Sequence, residues 1–276
     1  MRRLALNTTG LVVFAIAVFP VLWMVGTAFK PTPEIFSTTP RPVPADPTLS
    51  HFAEVLTGDL VPGTPFWQFL VNSSVVAVAT VVISALLALL AATAVARHRF
   101  RFRTTVLIML LVVQMVPLEA LVIPLFVTMR RLGLLDSLSG LVVTYVGFSL
   151  PFAVWMLRTF VAAVPVDLEE AAAIDGAGPW QSFWRILFPL VAPGLVATSI
   201  FSFITAWNEF VFALTFMSHQ DGYTLPVALS FFFGRDTTDW GAVMAASTLL
   251  TLPVVVFFLA VQRRMVGGLV SGAVKG

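Results

Sequence analysis

Six apolar runs, each about long enough to cross a bilayer, dominate this chain. The first, Leu11 to Phe29, has 19 residues, and at about 1.5 Å per residue a helix of that length nearly covers a hydrocarbon core about 30 Å thick. Backbone N–H and C=O groups in lipid find no water. A spanning segment must therefore bond within itself as a helix or belong to a closed barrel. The runs are continuously apolar rather than alternating, which predicts helices. Charge agrees, because Asp, Glu, Lys and Arg make up 11% of the chain against about 25% in a soluble domain. The expected class is all-α, a polytopic membrane protein with six transmembrane helices in one domain, 1–276. A cleaved leader would carry an apolar stretch of only about 7–15 residues, so the first run reads as an uncleaved span.

Between the first two spans the composition changes. Residues 30–69 hold prolines at 31, 33, 40, 42, 44, 47, 62 and 65 with Glu34, Asp46, Glu54 and Asp59. This predicts an irregular loop with a short helix near Leu49–Leu56. The second span runs over about 69–96, and Ser73, Ala77, Thr80, Ser84 and Ala88 give it a small-residue face for close helix packing. The third, about 104–129, contains Pro117, Glu119 and Pro124, which predicts a kink or break. The fourth covers about 138–161, the fifth about 190–217 and the sixth about 241–261. With the amino terminus inside, inner segments hold eleven Arg and Lys residues: Arg2, Arg3, Arg97, Arg99, Arg101, Arg103, Arg158, Arg185, Arg263, Arg264 and Lys275. Outer segments hold five, Lys30, Arg41, Arg130, Arg131 and Arg235. The bias places both termini in the cytoplasm and the 30–69 loop outside.

Several chemistries drop out. The chain has no cysteine, which excludes disulfides, thiolate metal sites and a cysteine nucleophile. His51, His98 and His219 show no ligand spacing and read as loop or interfacial residues, so no metal site is assigned. Neither Lys30 nor Lys275 lies in a phosphate-binding GxxxxGK[ST] loop. No catalytic residue is assigned. The arginines collect beside spans rather than on one soluble face, so nucleic acid is not a partner.

One segment between spans is acidic and helix-forming. Asp167, Glu169, Glu170 and Asp175 fall within nine residues on the expected cytoplasmic side. Asp167 is expected as an N-cap with Glu170 at the third helical position. Ala171, Ala172, Ala173 and Ile174 continue the helix, and Gly176 ends it. Gly178-Pro179 starts a second helix, carrying Trp180, Phe183, Trp184 and Ile186 and expected to end near Pro189.

Glu170-Ala171-Ala172, Gly176, Ile186 and Pro189 stand at the spacing of a motif, and the segment resembles the EAA loop of permease subunits of ATP-binding-cassette importers. The usual Ile-x-Leu-Pro ending has Phe188 in place of leucine. Trp207-Asn208-Glu209-Phe210 resembles the WNEF signature of MalG-type carbohydrate permeases. The segment Arg131–Ser137 and the tail Gln262–Gly276 are similar to theirs too. The resemblance implies a type I importer permease fold with residues 165–189 as a coupling loop. Its docking residues would be Glu169, Glu170, Ala171, Ala172, Asp175, Gly176, Ile186 and Pro189. It further implies a bacterial or archaeal plasma-membrane location, a second permease, two ATPase subunits that carry the ATP and Mg, and an extracytoplasmic solute-binding protein. No cofactor is expected in this chain itself. The implied cargo is a sugar. The alternatives are another polar solute on the same machine, or a self-sufficient secondary transporter, which should show repeated halves.

Ionisable groups inside spans cost about 2.5–3.5 kcal/mol even on lenient scales. Thr198, Ser202, Thr205 and Glu209 fall at steps of four, three and four, with Asn208 beside them. The stripe reads either as a face on the translocation path or as a hydrogen-bond seam between helices. Glu119, after Pro117, is expected at a break in the third span. The candidate path residues are therefore Glu119, Ser202, Thr205, Asn208 and Glu209.

Overall fold

A computed structural model describes residues 2–58, 63–233 and 238–273. Pro62, Arg235 and the tail from Val274, including Lys275, lie outside the described residues. Of Arg263 and Arg264 only the backbone helix is described. The elements are α1 (Arg2–Ala28), α2 (Thr32–Ile35), α3 (Ser50–Thr57), α4 (Phe66–Arg97), α5 (Arg103–Gln114), a 3₁₀ turn (Leu118–Leu121), α6 (Val122–Leu132), α7 (Leu138–Ala163) and α8 (Asp167–Ile174). There follow α9 (Pro179–Ser182), a π turn (Phe183–Leu187), α10 (Phe188–Trp207), α11 (Val211–Phe216), a 3₁₀ turn (Gln220–Gly222), α12 (Leu225–Ser230) and α13 (Trp240–Ala273). Among the described residues, five helices are long and apolar enough to span a bilayer. A sixth candidate is the pair α5 and Leu118–Leu132, bent by 95° at its break. The fold is all-α, as the apolar runs require.

The chain forms two compact units, Met1–Leu70 with Leu225–Val254, and Val71–Thr224 with Val255–Gly276. In the first, α1 leaves Leu11, Phe14 and Ile16 exposed. That surface suits lipid tails, which are as apolar as the side chains. Phe29 packs against Phe52 of α3 in a tilted pair, with ring centroids 4.9 Å apart. In the second, Ala88, Leu89 and Ala92 of α4 join Ala153, Val154, Leu157 and Val161 of α7 and Val191 of α10 in one core. The small face of α4 is buried along its length from Ser73 through Ala77, Thr80 and Ser84 to Ala88. Gly194 of α10 lies so close to Phe160 of α7 that a Cβ there would meet the ring at 2.4 Å. The helices thus approach through small residues, where backbones can come close.

Three boundaries differ from the sequence expectations. Asp167 is not an N-cap. Val166 takes that place with helical torsions and no side-chain cap, leaving Asp167 as the first helical residue, where the helix dipole favours it. The helix after Gly178 does not stop near Pro189 but runs from Pro179 to Trp207. The π turn makes this possible, because the Phe188 N–H bonds back to Phe183 C=O and the widened ladder absorbs the donor that Pro189 lacks. Conversely, the fifth span is not continuous to Met217. It breaks over 208–210 and resumes as α11.

Candidate functional site

The acidic segment folds into a tight helical elbow within the second unit. α8 ends at Gly176, whose φ of +87° is accessible to glycine without strain. Ala177 N–H bonds Ala172 C=O at 2.9 Å and Gly176 N–H bonds Ala173 C=O at 3.1 Å, the paired bonds of a Schellman terminus. Two residues later Pro179 opens α9 from Gly178 as N-cap, its missing N–H costing nothing at the first helical position.

A single arginine secures the elbow. Arg97, the last residue of α4, donates from Nε to Glu169 Oε1 at 2.8 Å and from Nη2 to Val164 C=O at 2.8 Å. The Nη2–Oε1 distance is 2.7 Å, and the two side chains are 11% and 26% exposed. One guanidinium therefore ties the ends of α4 and α7 to the first turn of α8. Beside it a cleft of about 440 Å³ is lined by Thr93, Arg97, His98, Glu169, Trp180 and Phe183.

The predicted coupling residues separate into two groups. Glu169 turns inward to Arg97, while Ala172 and Ile186 are half-buried. Glu170, Ala171, Asp175, Gly176 and Pro189 are exposed. The sequence reading passed over three residues that matter here. Arg97 enters the sequence reading only as one of the inner arginines that set the orientation. Ile174 is 87% exposed and Trp180 65%, two large apolar side chains at the elbow's tip. Trp180 stacks on Phe183 with centroids 5.6 Å apart, so its orientation is set in advance. The signal available was apolar residues on a helix pair outside any span.

Thr198, Ser202 and Thr205 share one face of α10, which ends at Trp207, so Glu209 lies beyond this helical stripe. Thr198 and Thr205 donate to carbonyls of their own helix, Leu195 at 2.9 Å and Phe201 at 2.9 Å, and Ser202 is buried. Asn208 is exposed and donates to Ile204 C=O at 3.0 Å. Glu209 lies within the break. Its carboxylate accepts the Tyr145 hydroxyl and the backbone N–H groups of Phe212 at 2.9 Å and Ala213 at 3.1 Å. It thus caps α11 and anchors that turn to α7. Glu119 is exposed in the 3₁₀ turn at the 95° bend, at the break expected for it.

A second latch joins two loops of this unit. Gly133, with φ +67°, ends α6, and Asp136 takes a left-handed φ of 54°. Asp136 N–H donates to Phe216 C=O at 3.0 Å, while its carboxylate accepts Ser218 N–H and, at 3.2 Å, His219 N–H. The Ser218 bond holds the Asp136 carboxyl below its usual value, against a smaller opposing effect of desolvation.

The family model described as the inner membrane component of binding-protein-dependent transport systems matches residues 84–269, and the chain belongs to that family. It is a multi-pass membrane protein. It is 43% identical to the diacetylchitobiose uptake system permease protein DasC of Streptomyces coelicolor, over 98% of this chain and 96% of the relative. It is 38% identical to the trehalose transport system permease protein SugB of Mycobacterium tuberculosis, over 94% and 93%. A chain from the crystal structure of a bacterial ABC transporter involved in the import of the acidic polysaccharide alginate superposes with a TM-score of 0.78. That match covers 94% of this chain and 95% of the other at 23% identity, and it supports the importer permease fold.

Proposed function

We propose that this chain is a non-catalytic permease subunit of an ATP-driven sugar importer, paired with a second permease around a common path. The observation that carries the reading is the elbow of α8 and α9. It is rigidly terminated at Gly176, held by Arg97, and carries exposed Ile174 and Trp180 on a family member's helical frame. Two ATPase subunits would receive this elbow and supply ATP and Mg. An extracytoplasmic binding protein would deliver the sugar to the side bearing the 30–69 loop. Both termini and the 165–189 loop would then be cytoplasmic, as the arginine distribution implies. Support for a sugar comes from the relatives, whose names specify diacetylchitobiose and trehalose.

The test is reconstitution of the importer in proteoliposomes with its partner permease, ATPases and binding protein. A panel of labelled mono-, di- and oligosaccharides would be scored for uptake. ATP-dependent, binding-protein-dependent uptake of one saccharide class is the expected result. Uptake by this chain alone, driven by an ion gradient, would overturn the proposal. Uptake of only a non-sugar solute would retain the machine and replace the cargo.

A further inference from the structure

His51 sits in the first turn of α3, 4% exposed. Its Nε2 lies 3.0 Å from Lys30 C=O. A carbonyl can only accept, so Nε2 carries the proton and in the neutral ring the lone pair falls on Nδ1. Among the described residues that buried Nδ1 has no hydrogen-bond partner, although a buried lone pair ordinarily finds one. Around the ring the structure gathers two acids. Glu54 is three residues along α3, on the same helical face. Asp239 is brought in by α13, whose first turn it caps by accepting Ala242 N–H at 3.0 Å through Oδ1. A ring nitrogen of His51 and one carboxylate oxygen from each acid all lie within 4.8 Å of one another.

Gly241 makes the approach possible. A Cβ at this position would lie 2.1 Å from Cε1 of His51 and 2.4 Å from each ring nitrogen, so only glycine lets the imidazole edge reach the start of α13. All four residues belong to the first compact unit.

We propose that His51, Glu54 and Asp239 bind a divalent first-row transition-metal ion of the Zn²⁺ type, with water completing the shell. One imidazole nitrogen with two carboxylate oxygens is a borderline donor set, suited to such ions rather than to calcium, which takes oxygen ligands only. A metal-bound histidine characteristically donates its other N–H to a carbonyl or carboxylate, which fixes the tautomer. The His51–Lys30 bond does this. Tetrahedral ligands about 2.0–2.2 Å from the ion stand about 3.4 Å apart, so the cluster must contract by roughly 1 Å. The buried imidazole is already held, and both acids are exposed and free to move. Asp239 retains Oδ1 for its cap and offers the second oxygen. The bound ion would clip α3 to the first turn of α13, closing the loop that follows α1.

The test uses the full chain purified with its partner subunits, stripped with EDTA and titrated with Co²⁺, then with Zn²⁺. The wild type should bind one equivalent of Co²⁺ per chain, with the visible absorption of a tetrahedral site that Zn²⁺ abolishes. It should also gain thermal midpoint on metal addition. His51→Gln removes the nitrogen but disturbs a packed site. The decisive variants are therefore Glu54→Gln and Asp239→Asn, both at exposed positions, which should lose the absorption and the thermal gain. Equal Co²⁺ binding by wild type and the Glu54→Gln/Asp239→Asn double variant would overturn the site. So would a wild type with no stoichiometric binding.

Discussion

Breaking the Arg97–Glu169 pair should detach the elbow without unfolding the bundle. α8 buries no side chain, so hydrophobic burial does little to hold it. Glu169→Gln keeps the shape and removes the charge. Arg97 then loses the negative charge on the oxygen that both Nε and Nη2 reach, at 2.8 and 2.7 Å, and keeps only neutral acceptors, the new amide oxygen and Val164 C=O. A hydrogen bond to a charged group contributes about 1.5–3 kcal/mol. Solvent screening at a carboxylate about a quarter exposed reduces this to about 1–2 kcal/mol. The docked-to-undocked ratio of the elbow should fall by about 5- to 30-fold.

Hydrogen exchange of the α8 amides should report that factor as lost protection, with α7 and α10 unchanged. In the reconstituted importer, ATP hydrolysis should outlast uptake, the signature of uncoupling. A double-mutant cycle with Arg97→Met isolates the pair, and the two single changes should be strongly non-additive. If Glu169→Gln leaves α8 protection and uptake unchanged, or if the two changes simply add, the pair does not hold the elbow and the reasoning fails.

Gly176→Val meets open space, so its cost is backbone strain alone, about 1–2 kcal/mol at φ +87°; uptake should fall while membrane yield stays constant, and undiminished uptake would contradict a required Schellman turn. Glu209→Ala strands the Tyr145 hydroxyl and the Phe212 and Ala213 N–H groups, at about 1–3 kcal/mol per buried donor; the detergent melting temperature should drop, and a loss of uptake with no thermal change would assign Glu209 to the path instead. Asp136 has a lowered folded pKa, so its contribution is fully present above the unfolded value of about 3.9 and disappears as pH falls through the lower folded value. Asp136→Asn should therefore flatten the acid limb of thermal stability and leave it parallel to wild type above that range; an unchanged acid limb would remove the latch.

The spans were legible because lipid restricts the backbone to a helix or a closed barrel, and unbroken apolar runs do not suit a barrel. Gly176 and Pro179 were legible because their local torsions and missing donor have few uses outside a helix end and a helix start. What failed to show was supplied from a distance. Nothing near Asp167 indicates that Val166 would cap in its place, because the competing partner of the first turn is Arg97, 72 positions from Glu169. The break at 208–210 is hidden within an apolar run, and its stabilising hydroxyl comes from Tyr145, 64 positions away. His51 and Glu54 meet Asp239 only through the fold, so ligand spacing along the chain could not reveal them. Pro189 misled for a different reason. Proline ends an α-helix when its missing donor has no substitute, and a π turn provides one.

That last correction changes the mechanics. A helix ending at Pro189 would have left the elbow as a separate flap, connected to the bundle by loose chain. Instead α9, the π turn and α10 form one element of 29 residues, about 43 Å long at about 1.5 Å per residue. Its first turn carries Trp180 and its last residue is Trp207, directly before the exposed Asn208 and the Glu209 cap. On the proposed function, a displacement imposed by the ATPases at Trp180 travels along this element to the break and is delivered where the chain changes direction. Arg97 keeps α8 beside α4 and α7, so the elbow has a defined fulcrum. Gly194 packs closely on Phe160, so α10 and α7 share a tight contact along this element. The hydrogen-bond ladder of this element is interrupted at the π turn over 183–187 and at Pro193 inside α10, the positions where it can bend.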